Sequence, residues 1–310
     1  MEEGKVIQKS RLQRLFEAGE FVVTGEVGPP MGADADHVYH AAEALNGVID
    51  AANVTDNQTS ILRMSSIAAS LLVQQKGVEA VVQMTCRDRN RIAIQSDLLG
   101  AWALGLRNLQ ILSGDHQAFG NDRGAKNVYD VDSIQLIKML TDLQNEGVFH
   151  NGKKAKGVPG FFIGTTSNPF ADPAELQLIR LKKKITAGAR FVQTQSIYNV
   201  EKFEAWMEKV REWGLHKEAY FQAGVLVNKS VRSIEMTQKV PGMDIPDHLV
   251  ERMRKAEDPK EEGIRIALEI IQRVRKIEGV SGVHIMAVGW EEIVPVIVER
   301  AGFLPRPALD

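Results

Sequence analysis

Three residues in this chain stand where chemistry could be done. Glu26 lies in VVTGEVGPP, Asp115 in LSGDH, and Gln195 closes FVQTQ. A carboxylate with apolar neighbours resists ionisation, because burial disfavours its charged form, and so suits a general acid near neutral pH. The same carboxylate could instead accept from nearby backbone amides. Gly114 would let a flat ligand approach the backbone, and Asp115 could accept from ligand nitrogens or simply cap a turn. Gln195 offers a donor and an acceptor, suited to the amide edge of a heterocycle or to a hydrogen bond inside the fold.

The other reactive side chains are less pointed. Lys182, Lys183 and Lys184 continue one helical segment; such a run is ordinarily a solvated face, although a lysine turned toward a site would bind phosphate. Cys86 has no histidine near it in sequence and reads as an inert small residue. The seven histidines lack ligand spacing and there is one cysteine, so neither a disulfide within the chain nor a multi-thiolate metal site is expected. Phe203, Trp206 and Trp213 read as packing.

Short β-branched runs alternate with segments of helical period, the pattern of βα units around a parallel sheet. Strands are predicted at 21–27, 49–55, 79–85, 106–112, 161–166, 189–195, 219–227 and 282–288. Most start about 30 residues apart, the length of one strand, turn and helix. The helical segments between them end in glycine, where a left-handed residue stops a helix. Asp34, Asp88, Asp132 and Asp172 stand where N-caps serve. The last interval is long enough for two or three helices. Eight such units predict a closed (β/α)8 barrel, with extra helices between strands 7 and 8. The first βα turn lacks the GxGxxG of an open dinucleotide-binding sheet, the competing fold. In a barrel, chemistry sits at the C-terminal ends of the strands, where Glu26, Asp115 and Gln195 all fall.

The chain has 310 residues, 44% hydrophobic and 25% charged, with a net charge of −2. That balance argues against a nucleic-acid binder, whose affinity rests on many cationic contacts to phosphate. One domain over residues 1–310 is expected, with residues 1–20 as an N-terminal helical extension. The N-terminus lacks the apolar core of a signal peptide, and no run reaches the length of a membrane span, so the cytoplasm is the expected compartment.

Taken in chain order, the strand-end pieces resemble the methylenetetrahydrofolate reductase family, flavin-dependent (β/α)8 barrels. VVTGEVGPP carries its glutamate before a Pro-Pro pair, MTCRDRN stands at the third strand, and LQILSGDHQ resembles the family's leucine-arginine-glycine-aspartate turn. NVYDVDSIQLIK resembles a flavin-contacting segment. LKKKITAGARFVQTQSIYNVEKF resembles the lysine-rich helix and the strand end after it. AEDPKEEGIRIALEIIQRV fits as well. The resemblance runs from about residue 10 to 303.

The resemblance implies a role for each matching residue. Glu26 falls on the acid that protonates the folate imidazolidine ring, and Asp115 on an aspartate near both flavin and pterin. Gln195 falls on a glutamine that contacts folate. Thr55, Gln83, Ser113, Gly114, Asp115, Tyr129, Lys183 and Lys184 fall on flavin-binding positions, with the lysines facing phosphate, and Asn168 lies in a loop that touches the flavin. The implied reaction is ping-pong reduction of 5,10-methylenetetrahydrofolate to 5-methyltetrahydrofolate, with FAD as the family's usual cofactor and FMN left open.

Some residues depart from the family pattern. Gln83 stands for a histidine, Ser113 for an arginine and Val231 for a phenylalanine that serves the nicotinamide. Some branches of the family work beside a small zinc- and iron–sulfur-binding partner, and the resemblance implies such a partner as electron donor here. An oligomer is expected. Two alternatives stand beside this reading: a flavin-free pterin-binding barrel that passes a methyl group to a corrinoid protein, and a non-catalytic scaffold subunit.

Overall fold

The computed structural model describes residues 9–240 and 242–309. The first eight residues of the expected N-terminal extension lie outside these. Eight parallel strands close into a barrel in sequence order. They are β1 (Val22–Val27), β2 (Ala51–Val54), β3 (Ala80–Thr85), β4 (Asn108–Leu112), β5 (Phe162–Ser167), β6 (Phe191–Ser196), β7 (Tyr220–Leu226) and β8 (Val280–Met286). Helix α1 (Arg11–Glu17) precedes β1. The crossover helices are α2 (Ala35–Leu45), α3 (Ser66–Gln75), α4 (Arg91–Ala103), α5 (Ser133–Glu146), α6 (Ala174–Ala187) and α7 (Val200–Glu212). Between β7 and β8 run α8 (Val231–Gln238), α9 (Asp247–Lys255) and α10 (Pro259–Val274), and α11 (Val294–Arg300) follows β8. That interval therefore holds three helices, two more than one crossover requires. None of the described helices is long and apolar enough to cross a membrane.

The period-two alternation of strand side chains sorts the barrel into layers. Outward residues such as Val23, Val27, Val54, Val82, Ile111, Val192 and Val225 pack under the helices in one apolar cluster. Inward residues at the strand starts, Val22, Ala51, Val81, Phe162 and Phe191, form a second cluster with Leu12, Leu15 and Phe16 of α1. Phe16 stacks on Tyr220 at 4.7 Å between centroids, and Phe162 on Phe191 at 5.0 Å. Gly164 admits this arrangement, since a Cβ there would lie 2.1 Å from the Phe191 ring. Helix α1 thus closes the barrel floor.

Helix boundaries follow local chemistry. Asp34 caps α2, and Asp132 closes a capping box with Gln135 on α5. Two expected caps are corrected. Asn90, not Asp88, caps α4 through Ile92 N and Ala93 N, because the chain runs two residues further and Asp88 is held by the Arg87 guanidinium. Pro173 occupies the cap position of α6 in place of Asp172, with no side-chain cap. Glycines after α3, α5 and α6 (Gly77, Gly147 and Gly188) have positive φ, as helix-stopping residues should.

Removing the Phe16 ring leaves a cavity in the floor, so Phe16→Ala should lower unfolding stability by about 3–5 kcal/mol. Urea unfolding followed by circular dichroism measures this; a change below about 1 kcal/mol would mean the floor contributes little.

Candidate active site

Above the floor lies a belt of buried polar residues, one at the second inward position of most strands. Asn53, Gln110, Gln193 and Gln222 hydrogen-bond side chain to side chain: Asn53 Nδ2 donates to Gln110 Oε1 and, at 2.7 Å, to Gln193 Oε1. Gln193 Nε2 donates to Asn53 Oδ1 at 3.1 Å and to Gln222 Oε1 at 3.0 Å. Thr24 and His284 complete the belt, with Thr24 Oγ1 3.0 Å from His284 Nδ1. Mutual bonding offsets the loss of water by these amides, which would otherwise cost a few kcal/mol each.

The belt is the base of a cavity of about 400 Å³ at the C-terminal ends of the strands. Glu26, Gln83, Ser113, Gly114, Asp115, Asn168, Lys184 and Gln195 all line it, so most of the residues singled out from sequence meet in one place. The Glu26 side chain is 11% exposed; Gln58 Nε2 lies 3.4 Å from Oε1 and His284 Nε2 3.9 Å from Oε2. Its expected apolar surroundings are corrected to these polar contacts, because alternation turns Val27 out under the helices and Glu26 in over the belt.

Asp115 follows Gly114, whose φ of +83° suits glycine. A Cβ on Gly114 would also sit 3.0 Å from Thr85 and 3.2 Å from Arg87. Asp115 Oδ2 accepts from Thr59 N at 3.2 Å, and Tyr129 OH donates to Gly114 O at 3.2 Å. Gln195 Oε1 accepts from Ser196 N at 3.0 Å. Asn168 is engaged on both sides: Nδ2 donates to Gly242 O at 3.0 Å and Oδ1 accepts from Phe170 N at 2.9 Å. Thr55 is buried at the end of β2, and its hydroxyl has no hydrogen-bond partner among the described residues.

The two lysines part company. Lys184 faces the cavity, where its Nζ donates to Thr166 O at 2.7 Å. Burial, with repulsion from Arg180, pushes its pKa down to about 8 against a pull from Asp132. Lys183 does not face the cavity. One helical step of about 100° carries it to a groove outside the barrel beside Ile134, Ile179 and Trp213. Cys86 is buried and its thiol is pushed up to about 12, in keeping with an inert role.

Several residues that shape the site were missed from sequence. Gln58, Gln110, Arg180, Gln193 and His284 touch the cavity or Glu26. Buried Arg87 ties two loops together, donating to Asp115 O at 3.0 Å and Asn57 O at 3.2 Å. Asp56 accepts from Thr85 N at 2.9 Å and pairs with Arg89 at 2.8 Å. The available signal was a lone polar residue in the middle of otherwise apolar strands, as in LQIL, YFQAGV and GVHIM.

The sequence profile of the methylenetetrahydrofolate reductase family matches residues 11–302. The chain is 26% identical over 296 residues to a probable methylenetetrahydrofolate reductase (NADPH) of Caenorhabditis elegans, covering 94% of this chain and 39% of that protein. It is 25% identical to methylenetetrahydrofolate reductase 1 of Schizosaccharomyces pombe, over 73% of this chain and 36% of that protein. To 5,10-methylenetetrahydrofolate reductase of Pectobacterium carotovorum subsp. carotovorum it is 24% identical, over 76% of this chain and 74% of that one. The chain thus spans about two fifths of the length of these eukaryotic relatives. Among solved structures, an uncharacterized protein from Clostridium thermocellum that binds two copies of 5-methyl-5,6,7,8-tetrahydrofolic acid shares the fold. It has a TM-score of 0.70 at 13% identity, with 95% of this chain and all of that chain covered.

Lys184 is the basis of a pH test. It is cationic below about pH 8 and neutral above, so anion binding in the cavity should weaken as pH rises through that value. Sulfate keeps its charge over this range; its Kd should rise roughly tenfold by one pH unit above the midpoint. Calorimetric titration should show this step, and Lys184→Met should abolish it. A step that survives in Lys184→Met would place the anion elsewhere.

Proposed function

This chain belongs to the methylenetetrahydrofolate reductase family, and we propose that it reduces 5,10-methylenetetrahydrofolate to 5-methyltetrahydrofolate with a flavin held in the barrel mouth. The observation that carries this reading is the convergence of Glu26, Asp115 and Gln195 on one cavity above the polar belt.

The residues present suit a flavin. Gly114 leaves a place beside the backbone that any Cβ would fill against Thr85 and Arg87. Among the described residues the buried Thr55 hydroxyl has no partner, and the half-buried Lys184 makes no ion pair. In this reading Thr55, Gln83, Ser113, Gly114, Asp115, Tyr129 and Asn168 hold the cofactor, Lys184 faces its phosphate, and FAD is the form bound. When bound, the flavin supplies the hydride that the side chains cannot.

The protein's own part is proton transfer and placement. Glu26 gives its proton to an imidazolidine nitrogen of the folate as the bond from that nitrogen to the bridging methylene breaks. The methylene is left as an iminium carbon, ready to accept hydride and become the methyl group. Gln195 and Asp115 face the same space and hold the pterin by its amide edge. Holding both reactants in one chamber removes encounter entropy, worth roughly 7–11 kcal/mol at best.

For the electron donor, the reading takes a separate zinc- and iron–sulfur-binding protein. Among the described residues that line the cavity there is no phenylalanine, tyrosine or tryptophan on which a nicotinamide could stack. The compartment is taken as the cytoplasm.

Two measurements test these statements. In Glu26→Gln, the flavin should still accept electrons from dithionite while folate turnover falls roughly a hundredfold or more; folate reduction at the normal rate would remove Glu26 from the mechanism. Mixing the purified flavin-loaded chain with NADH without oxygen should bleach the flavin slowly, and rapid bleaching would overturn the partner as donor.

A further inference from the structure

We propose that His284 is a positioning residue for Glu26, with its proton fixed on Nε2 by Thr24 and the amide belt. This rests on the reading of Glu26 as proton donor. A threonine hydroxyl has one proton and two lone pairs. Thr24 Oγ1 accepts the Gln222 Nε2–H at 3.1 Å, and its other amide neighbour, Gln193 Nε2 at 3.4 Å, is likewise a nitrogen that cannot accept a proton. Among the described residues, His284 Nδ1 at 3.0 Å is the one partner that can accept the hydroxyl proton. Nδ1 therefore accepts, and in the neutral ring the proton sits on Nε2.

The amides that decide this are themselves oriented. Gln222 turns its Oε1 to Gln193 Nε2 at 3.0 Å, which leaves Gln222 Nε2 to face Thr24. Gln193 is in turn set by Asn53, which donates to its Oε1 at 2.7 Å. The orientation thus propagates from β2 through β6 and β7 to β1 and β8.

The consequence reaches Glu26. His284 Nε2 lies 3.9 Å from Glu26 Oε2, so the ring presents an N–H to the carboxyl group. On the other side Gln58 Nε2 faces Oε1. When Glu26 gives up its proton, the remaining carboxylate has a donor near each oxygen, at 3.4 Å and 3.9 Å, and small movements close both bonds. Thr24 is fully buried and His284 nearly so, at 4% exposure, which leaves little room for water to replace either.

The tautomer can be read without any turnover. Nitrogen-15 NMR of histidine-labelled protein, with His284→Gln to assign the signals, should show the neutral form of the His284 ring protonated on Nε2. A proton on Nδ1 would overturn the inference. Thr24→Val should release the tautomer and slow flavin reoxidation by folate roughly ten- to hundredfold relative to reoxidation by dioxygen. Thr24→Ser, which keeps the hydroxyl, should restore both readings. Wild-type folate rates in Thr24→Val and His284→Gln, with Glu26→Gln inactive, would sink the positioning role and leave the proposed reaction standing. A normal rate in Glu26→Gln would instead overturn the reaction assignment beneath it.

Discussion

A buried amide cut off from water must find its partners within the protein, and this requirement governs the centre of the barrel. Asn53, Gln110, Gln193 and Gln222 come from four different strands and satisfy one another across the barrel axis. Each bond depends on strand register, because a slip of one residue would turn every one of these side chains outward into the apolar cluster under the helices. The belt therefore pins the register of the sheet at the same level at which it forms the base of the cavity. The aromatic floor beneath it and the catalytic candidates above it take their heights from the same alternation.

The walls of the mouth are held differently. They are loops, and their shape is fixed by buried charge. Arg87 reaches the carbonyls of Asn57 and Asp115, while Asp56 gathers Thr85 and Arg89. Next to these anchors Asn57, Thr59 and Ser60 all adopt positive φ, a conformation that side chains disfavour. Such strain of about 1–3 kcal/mol per residue persists only where the surroundings over-determine it. Here the surroundings include Asp115, which takes the Thr59 N–H, and Gly120, which leaves room for the Ser60 carbonyl. The strained loop is also the one that brings Gln58 to Glu26.

Much of this was legible in the sequence, for physical reasons that differ by feature. Alternating apolar runs and glycine stops are local, so the eight strands and their order of closure could be read directly. Glu26, Asp115 and Gln195 were legible because strand ends in a parallel barrel share one face. His284 was not, since its contact with Thr24 spans 260 residues and exists only because β8 closes on β1. Gln58 escaped notice because it sits in an irregular loop whose path depends on Arg87. The difference between Lys183 and Lys184 is one of helical phase, which a run of three lysines hides. The environment of Glu26 was misread because the apolar residues adjacent in sequence point the other way.

The aromatic plug under the barrel has one more implication. With Phe16, Phe162, Phe191 and Tyr220 packed across the lower end, the chamber is a blind well rather than a tunnel. Anything admitted from above has to back out by the way it came. Traffic through such a single doorway is necessarily sequential wherever two visitors need the same spot, so the order of arrivals and departures is imposed by architecture before any side chain exerts a preference.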